Sequence, residues 1–200
     1  MHWDETDPPP LSASPARHIC AADGQLRLRR AEPPDLPFLV DLIGHDDVAA
    51  FLAAVSASDP DELRIELGRS REEPAYHGRL IAEVADTTWE KVGSIAYEVV
   101  NRRSRIAYVS ALAIAPSQTG KGLGAATARL ALDYLLDEVG YHRVQCEIYR
   151  FNERALAVAR RAGFTQEGVR RRAYWRRGAW VDGVLFGAVA EDVARLGDPG

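Results

Sequence analysis

The 200-residue chain reads as one α+β domain built on a mixed, mostly antiparallel sheet of six to seven strands with flanking helices. Three observations predict it. Strand-like segments run between residues 80 and 114, and the turn Asn101-Arg102-Arg103-Ser104 is of hairpin length, so the last two should be antiparallel. A strand–helix–strand unit follows, which brings two strands side by side in parallel. The chain then closes with two strands around the turn Arg176-Arg177-Gly178. Helices that neither alternate strictly with strands nor dominate the chain leave an α+β arrangement.

Taken in order, residues 1–24 are Pro-rich and lack an apolar period, so a disordered tail is expected there, with a folded domain over 25–192 and a short C-terminal tail over 193–200. Leu26 and Leu28 alternate with Arg27 and Arg29, a short strand. Asp35 is expected to cap a helix carrying Leu36, Leu39 and Ile43, and Val48–Val55 reads as a further helix. Asp59-Pro60-Asp61-Glu62 is a helix start, and Gly68 the expected end, with a charged loop over 69–78. Strands are expected at Leu80–Val84, Val92–Val100 and Ile106–Ile114, the last closed by Pro116. A helix over Gly122–Glu138 stops at Gly140, and Arg143–Tyr149 alternates as a strand with Gln145 and Glu147 on its polar face. Asn152 begins a helix, Glu153–Ala162, that ends at Gly163, before strands near Val169–Trp175 and Trp180–Ala190.

Composition narrows the function classes. With 46% hydrophobic residues the chain is not disordered throughout, and no run of about 18 uncharged apolar residues spans a membrane. The acidic N-terminus lacks a basic n-region and an apolar h-region, so no signal peptide is read and a cytoplasmic location is expected. Cys20 and Cys146 then stay as two reduced, unpaired thiols, and five scattered histidines give no metal spacing. The net charge of −4 is uneven: residues 1–100 hold 9 basic and 19 acidic side chains, residues 101–200 hold 16 and 10. The second half is where an anionic ligand is expected.

The sharpest local feature lies there: Pro116-Ser117-Gln118-Thr119-Gly120-Lys121-Gly122-Leu123-Gly124-Ala125 follows a strand and opens a helix. Small residues let a ligand approach the backbone, and the first N–H groups of a helix are unpaired and suit phosphate. Glycines that only packed would weaken the helix start by up to ~1 kcal/mol each. A P-loop fails, because Ala115 and Gly122 stand where Gly and Ser/Thr are needed. A dinucleotide fingerprint is matched by Gly120, Gly122 and Ala125 with Glu147 beyond, but without the usual run of parallel units.

From Leu112 to Ala125 the sequence resembles the acyl-CoA loop of the GNAT acetyltransferase superfamily, Arg/Gln-x-x-Gly-x-Gly/Ala after a strand ending in proline. Gly122 and Gly124 match; Thr119 stands at the first position, with Gln118 one place early. Asn152-Glu153-Arg154-Ala155 through Gly163-Phe164 to Glu167-Gly168, with Asp182 trailing, is similar to the ribosomal-protein N-terminal acetyltransferase branch. The resemblance covers about residues 25–190 and implies a single GNAT-like domain with a splayed central strand pair. It implies that Leu112, Ala113 and Ile114 pair with the pantetheine arm and that the N–H groups of Thr119, Gly120, Lys121, Gly122, Leu123, Gly124 and Ala125 hold the pyrophosphate. Asn152 would hold the arm, or cap its helix, or both.

Acyl transfer needs a neutral amine, so a carboxylate that accepts its proton is sought. Glu147 is the candidate base, five residues before Asn152, with Glu98 an alternative and a surface ion pair with Arg143 or Arg150 the bland reading. The hydroxyls that the family uses as acid are missing, since Ala159 and Ala155 occupy those positions; Tyr149, Tyr174 or Tyr108 are the substitutes, with Tyr149 carried forward. Cys146, on the apolar face of its strand, reads as a small buried hydrophobe rather than an acyl carrier. Strand alternation would send Arg170 and Arg172 to one face and Arg171 to the other, which argues against a nucleic-acid patch. The expectation is an acetyl-CoA-dependent N-acetyltransferase using acetyl-CoA as co-substrate, with a peptide N-terminus or small amine as acceptor, no metal, no nucleic-acid or membrane partner, and a monomeric or homodimeric state. The alternatives are a non-catalytic acyl-CoA-binding module and a dinucleotide-dependent oxidoreductase.

Overall fold

The computed structural model describes residues 11, 19–20, 24–52 and 59–194. One eight-stranded sheet runs in the order β1-β2-β3-β4-β5-β6-β8-β7. Its strands are β1 (Ile19–Cys20), β2 (Leu26–Arg30), β3 (His77–Ala85), β4 (Trp89–Asn101), β5 (Ile106–Ile114), β6 (Arg143–Tyr149), β7 (Thr165–Arg176) and β8 (Ala179–Ala188). Every neighbouring pair is antiparallel except β5 and β6. Seven of these strands are of ordinary length; β1 is two residues that pair with Leu28 and Arg27. The N-terminal segment expected as a tail thus contributes a short strand at Ile19–Cys20, and most of its other residues lie outside those described.

The helices are α1 (Leu36–Gly44), α2 (Asp46–Ala49), α3 (Pro60–Glu72), α4 (Leu123–Asp133), α5 (Glu153–Ala162) and α6 (Ala190–Ala194). Successive residues of β3 separate the two faces of the sheet. Leu80 and Ala82 join the main core with α4 and α5, while Ile81 joins a second core with Leu39, Ile43, Leu63 and Leu67 of α1 and α3. Val193 is buried in the main core, and its carbonyl accepts from Arg129 Nη2 at 3.1 Å, so the folded part reaches past residue 192.

Several sequence expectations change. Asp35 makes no side-chain cap to α1. It is buried at 3% exposure and accepts from both terminal Arg29 guanidinium nitrogens, at 2.6 and 2.8 Å, and from Lys91 at 2.8 Å. The third turn of α3 does not stop at Gly68 but continues to Glu72, because Ser70 is buried and its hydroxyl and carbonyl accept from Arg30 Nη1. Asp59 does cap α3, accepting from Asp61 N at 2.8 Å. The helix after Gly122 keeps α geometry only to Asp133, then widens into a π-helical turn, Tyr134–Val139, ended by Gly140. Of the expected Val48–Val55 helix, α2 covers two residues and 53–58 lie outside those described.

The last correction concerns β7. Arg170 pairs with Gly183 and Tyr174 with Val181, so three residues of β7 face one of β8, and Arg172 sits at φ 51°. This bulge breaks the two-residue alternation that would have put Arg171 opposite Arg172. Both residues line one shallow depression with Val169 and Asp182, whose carboxylate accepts from the Arg172 backbone N–H at 2.9 Å.

Candidate active site

The parallel pair β5/β6 is joined at only three positions, Ile106–Arg143, Ala107–Val144 and Tyr108–Gln145. Beyond Tyr108 the two strands part. The cause lies on the other side of β5: Ser94 pairs with Ala113 and Ala96 with Ser110, so one residue of β4 faces two of β5, and Ala111 takes φ 47°. A bulge of this kind bends its strand and raises its twist, which turns the C-terminal half of β5 away from β6. An alanine in the left-handed region costs about 1–2 kcal/mol. No glycine marks the position, so the sequence gives no local signal for it. From Val109 through Leu112, Ala113 and Ile114 the edge of β5 that faces β6 is unpaired, as is that of β6 from Cys146 to Tyr149.

At the C-terminal end of β5 the chain makes a 3₁₀ turn, Pro116–Gln118, and reaches α4 through Gly120 at φ 83° and Gly122 at φ 79°. Both glycines need the left-handed region, and a side chain at either would meet open space. The segment therefore stands free, without neighbours packed over it. Thr119 N–H donates to Pro116 O and Ala125 N–H to Gly122 O, so these two ends of the expected cradle are already used. The N–H groups of Gly120, Lys121, Gly122, Leu123 and Gly124 have no acceptor among the described residues. They are the unpaired donors at the positive end of α4. Lys121 is held over the loop by Gln118 Oε1 at 2.7 Å, and Gln118 in turn reaches Glu90 at 3.3 Å. Gly124 brings α4 against Val158 of α5 and Ile114 of β5.

Glu147 and Tyr149 lie two residues apart on β6, on one face of its unpaired stretch. The Glu147 side chain is 9% exposed; Oε2 meets Arg170 Nη1 at 3.2 Å, while Oε1 is buried without a partner. Its carboxylate lies over Gly183 of β8, where any β-carbon would collide with it. The Tyr149 hydroxyl is likewise buried and unpartnered. Its ring stacks on Phe151 at 5.4 Å and meets Tyr174 edge-on at 5.2 Å, and Phe51 approaches Phe151 at 6.1 Å. Burial first, then Cys146 and Glu147, push the Tyr108 hydroxyl up to about 12. Burial and then the Glu147 carboxylate also raise Tyr174.

The other sequence candidates separate. Asn152 Oδ1 accepts from Ala155 N at 3.1 Å and so caps α5, leaving the amide NH₂ without an acceptor among the described residues. Ala159 is buried in the core and Ala155 is half-buried. Cys146 packs against the main core, and burial pushes its thiol up to about 12, so a thiolate is not available near neutral pH. Glu98 is exposed on β4, two strands from β6. Arg143 and Arg150, the expected partners of Glu147, instead pair with Glu167 and Asp182. Sequence reading missed Arg170 as the partner of Glu147, Gly183 as the gap that admits it, and Ala111 as the hinge of the cleft. Among the described residues no group of His, Cys, Asp and Glu could hold a metal, and no helix is long and apolar enough to cross a membrane.

The family model described as an acetyltransferase (GNAT) domain matches residues 25–165. Among curated relatives, the chain is 30% identical over 81 residues to the SPbeta prophage-derived uncharacterized N-acetyltransferase YokL of Bacillus subtilis, covering 40% of this chain and 46% of that one. It is 26% identical over 143 residues to spermidine N(1)-acetyltransferase of Escherichia coli K12, covering 72% of this chain and 74% of that one. The chain therefore spans about half of one relative and three quarters of the other. Among solved structures, spermidine N-acetyltransferase from Vibrio cholerae in complex with CoA and spermine superposes with a TM-score of 0.75 at 23% identity, covering 85% of this chain and 98% of that one. Ribosomal-protein-S5-alanine acetyltransferase from Vibrio fischeri superposes with a TM-score of 0.71 at 16% identity, covering 84% and 94%. These likenesses bear out the single GNAT-like fold.

Proposed function

The chain belongs to the GNAT acetyltransferase family, and from that premise we propose that it moves an acetyl group from acetyl-CoA directly to a primary amine, without a covalent enzyme intermediate. The observation that carries the reading is the parting of β5 and β6 beyond Tyr108, where five N–H groups without an acceptor among the described residues lead into α4. A cleft edged by unpaired backbone suits an amide-bearing arm, and the helix mouth suits the diphosphate attached to it. In this reading Leu112, Ala113 and Ile114 pair with the pantetheine amides, Gly120–Gly124 hold the pyrophosphate, and the Asn152 amide steadies the arm.

The amine nitrogen attacks the thioester carbonyl; the C–N bond forms, and the C–S bond breaks with its electron pair going to sulfur. The amine's proton goes to Glu147, directly or through one water, and the departing thiolate takes up a proton in turn. Glu147 suits the role because one oxygen is sheltered and unpartnered while the other is fixed by Arg170. Tyr149 is the hydroxyl on the same face that could serve the leaving sulfur, though a thiol with a pKa of about 8.5 can also leave unassisted. A protein N-terminal α-amine and a small-molecule amine are both acceptors consistent with the relatives, one of which is named for spermidine and another for a ribosomal protein's alanine.

The test is thermal. Acetyl-CoA at about a hundred times its Kd should stabilise the fold by about 2.7 kcal/mol. Gly122→Glu should abolish the shift, since it adds a negative charge at the helix mouth where the β-carbon meets only open space. No shift at saturation sinks the reading. A shift with NAD(H) instead supports the dinucleotide alternative, and a shift without thiol release across a broad amine panel supports a binding module.

A further inference from the structure

We propose that Gly183 is a positioning residue for the proton-accepting carboxylate, a gap in β8 across which Glu147 of β6 reaches Arg170 of β7; this rests on the acyl-transfer reading above. Residues 183, 185 and 187 of β8 share one face of the sheet with Gln145, Glu147 and Tyr149, through the pairs Gln145–Gly187, Glu147–Leu185 and Tyr149–Gly183. On its other edge, β8 pairs Gly183 with Arg170. Glu147 therefore stands opposite Leu185, yet its carboxylate leans over Gly183 and meets Arg170 at 3.2 Å across the whole width of β8. Neighbouring strands lie about 4.8 Å apart, so β6 and β7 are separated by about 9.6 Å. An ion pair lies low over that span only where the strand between offers no side chain. A β-carbon on residue 183 would overlap Glu147 Oε1 and stand 2.8 Å from both Glu147 Cδ and Tyr174 Cε2.

The same face of β8 carries a second crossing, with the charges reversed. Arg143 of β6 reaches Glu167 of β7 over Gly187, where a β-carbon would overlap Arg143 Nη2 and come within 2.5 Å of Glu167 Oε1. Leu185 stands between the two glycines. Arg143 engages both oxygens of Glu167, one of them at 2.7 Å, so this crossing is a closed, two-bonded pair. The crossing over Gly183 is left open: Arg170 holds one Glu147 oxygen, while Oε1 is buried above the glycine without a partner. An added methyl group at 187 displaces side chains that are 24% and 39% exposed and can swing outward. At 183 it displaces a carboxylate that is only 9% exposed and lies beside the Tyr174 ring. One glycine thus admits a pair belonging to the frame. The other fixes where the proton acceptor lies, and only that one bears on rate.

Thiol release from acetyl-CoA by the full chain, with the amine that wild type uses best, tests this, and urea unfolding of each variant separates rate from fold. Gly183→Ala should lower kcat by about tenfold or more, with the KM for acetyl-CoA within about twofold, because a misplaced reacting group costs rate rather than cofactor binding. Gly187→Ala should keep kcat within about twofold, since it disturbs only a half-exposed pair. Glu147→Asp draws the carboxylate back from residue 183 by one methylene, so adding Gly183→Ala to Glu147→Asp should change kcat by less than about twofold. Folding of Gly183→Ala beside aspartate but not beside glutamate at 147 supports the proposal too, because the collision is then with the carboxylate. Wild-type kcat in Gly183→Ala, equal losses at 183 and 187, or a loss at 183 as large beside aspartate as beside glutamate overturns it. Failure of Gly183→Ala to fold beside either residue overturns it as well, since the glycine then serves β8 itself. These outcomes leave acyl transfer standing. Absence of thiol release by wild type across a broad amine panel overturns acyl transfer itself, and this proposal with it.

Discussion

The two ends of the sheet treat their buried carboxylates in opposite ways. At the β2–β3 end, Arg29 bridges Asp35 and Glu83, Arg27 takes the other oxygen of Glu83 at 2.7 Å, and Lys91 completes Asp35. The Glu32 N–H also donates to Asp35, at 2.9 Å. No oxygen of either carboxylate is left without a partner. At the β6–β8–β7 end, Glu147 Oε1 and the Tyr149 hydroxyl are buried and unpartnered among the described residues. A buried polar atom without a partner costs about 1–3 kcal/mol, so a fold keeps one where something else depends on it. The comparison supports placing the proposed chemistry at Glu147, the carboxylate that stability alone would have arranged differently. The contrast is one of carboxylates: Arg79 of β3 pairs with Glu66 through Nη2 alone and keeps Nε and Nη1 buried without a partner, and the hydroxyls of Ser94 on β4 and Thr127 on α4 are likewise buried and unpartnered.

The largest effect that would sharpen this contrast is on rate. Glu147→Gln keeps the shape over Gly183 and removes the proton acceptor, so kcat should fall by about 10²–10⁴. The melting temperature should hardly move, because the paired Arg170 is mostly exposed. Unchanged rates at all pH values would refute the assignment of Glu147 as the base.

The satisfied end should answer in stability instead. Removing Asp35 strands Arg29 and Lys91, and Asp35→Ala should cost about 3–5 kcal/mol, with kcat/KM per folded molecule unchanged. The acid dependence follows from the same group. Burial alone would raise the Asp35 carboxyl, but the bonds from Arg29, the Glu32 N–H and Lys91 outweigh it and hold the carboxyl well below the usual carboxylate range. A lowered folded pKa contributes stability above the unfolded value of about 3.9, and that contribution is lost as pH falls toward the folded value. Wild type and Asp35→Asn should therefore differ most in urea unfolding above about pH 5 and converge below pH 4. Equal acid profiles would break the comparison.

What the sequence disclosed follows the same division. β5 and β6 span the residues that alternation and the bounding proline and glycines mark, Ile106–Ile114 and Arg143–Tyr149, and α5 runs over Glu153–Ala162 between Asn152 and Gly163 as read. Those signals are local, lying within a few residues of what they control. Glu147 was legible as a polar position on a strand, and the helix mouth as a glycine cluster. Hidden were the features set by partners far along the chain. The bulge at Ala111 depends on β4, the role of Asp35 on Arg29 and Lys91, and the shelter of Glu147 on Gly183 and Arg170. The bulge at Arg172 interrupts the alternation on which the reading of Arg170, Arg171 and Arg172 rested, because that argument holds only while a strand keeps its pleat.

The smallest effect is also the cleanest probe of the unpartnered end. Tyr149→Phe removes the buried hydroxyl and keeps the ring that stacks on Phe151 and meets Tyr174. A structural hydroxyl would be missed in stability, as a hydrogen bond lost is worth about 1 kcal/mol. Here no bond exists to lose, so the phenylalanine variant should unfold at the same urea concentration as wild type, or slightly higher, because a desolvated polar atom has gone. If the hydroxyl serves the departing sulfur, kcat should fall by up to about tenfold, most clearly below a pH of about 8.5, where a thiol is ordinarily protonated. Loss of stability with unchanged kcat would make Tyr149 part of the frame and move the boundary between the two ends inward, leaving Glu147 as the sole reacting group on β6.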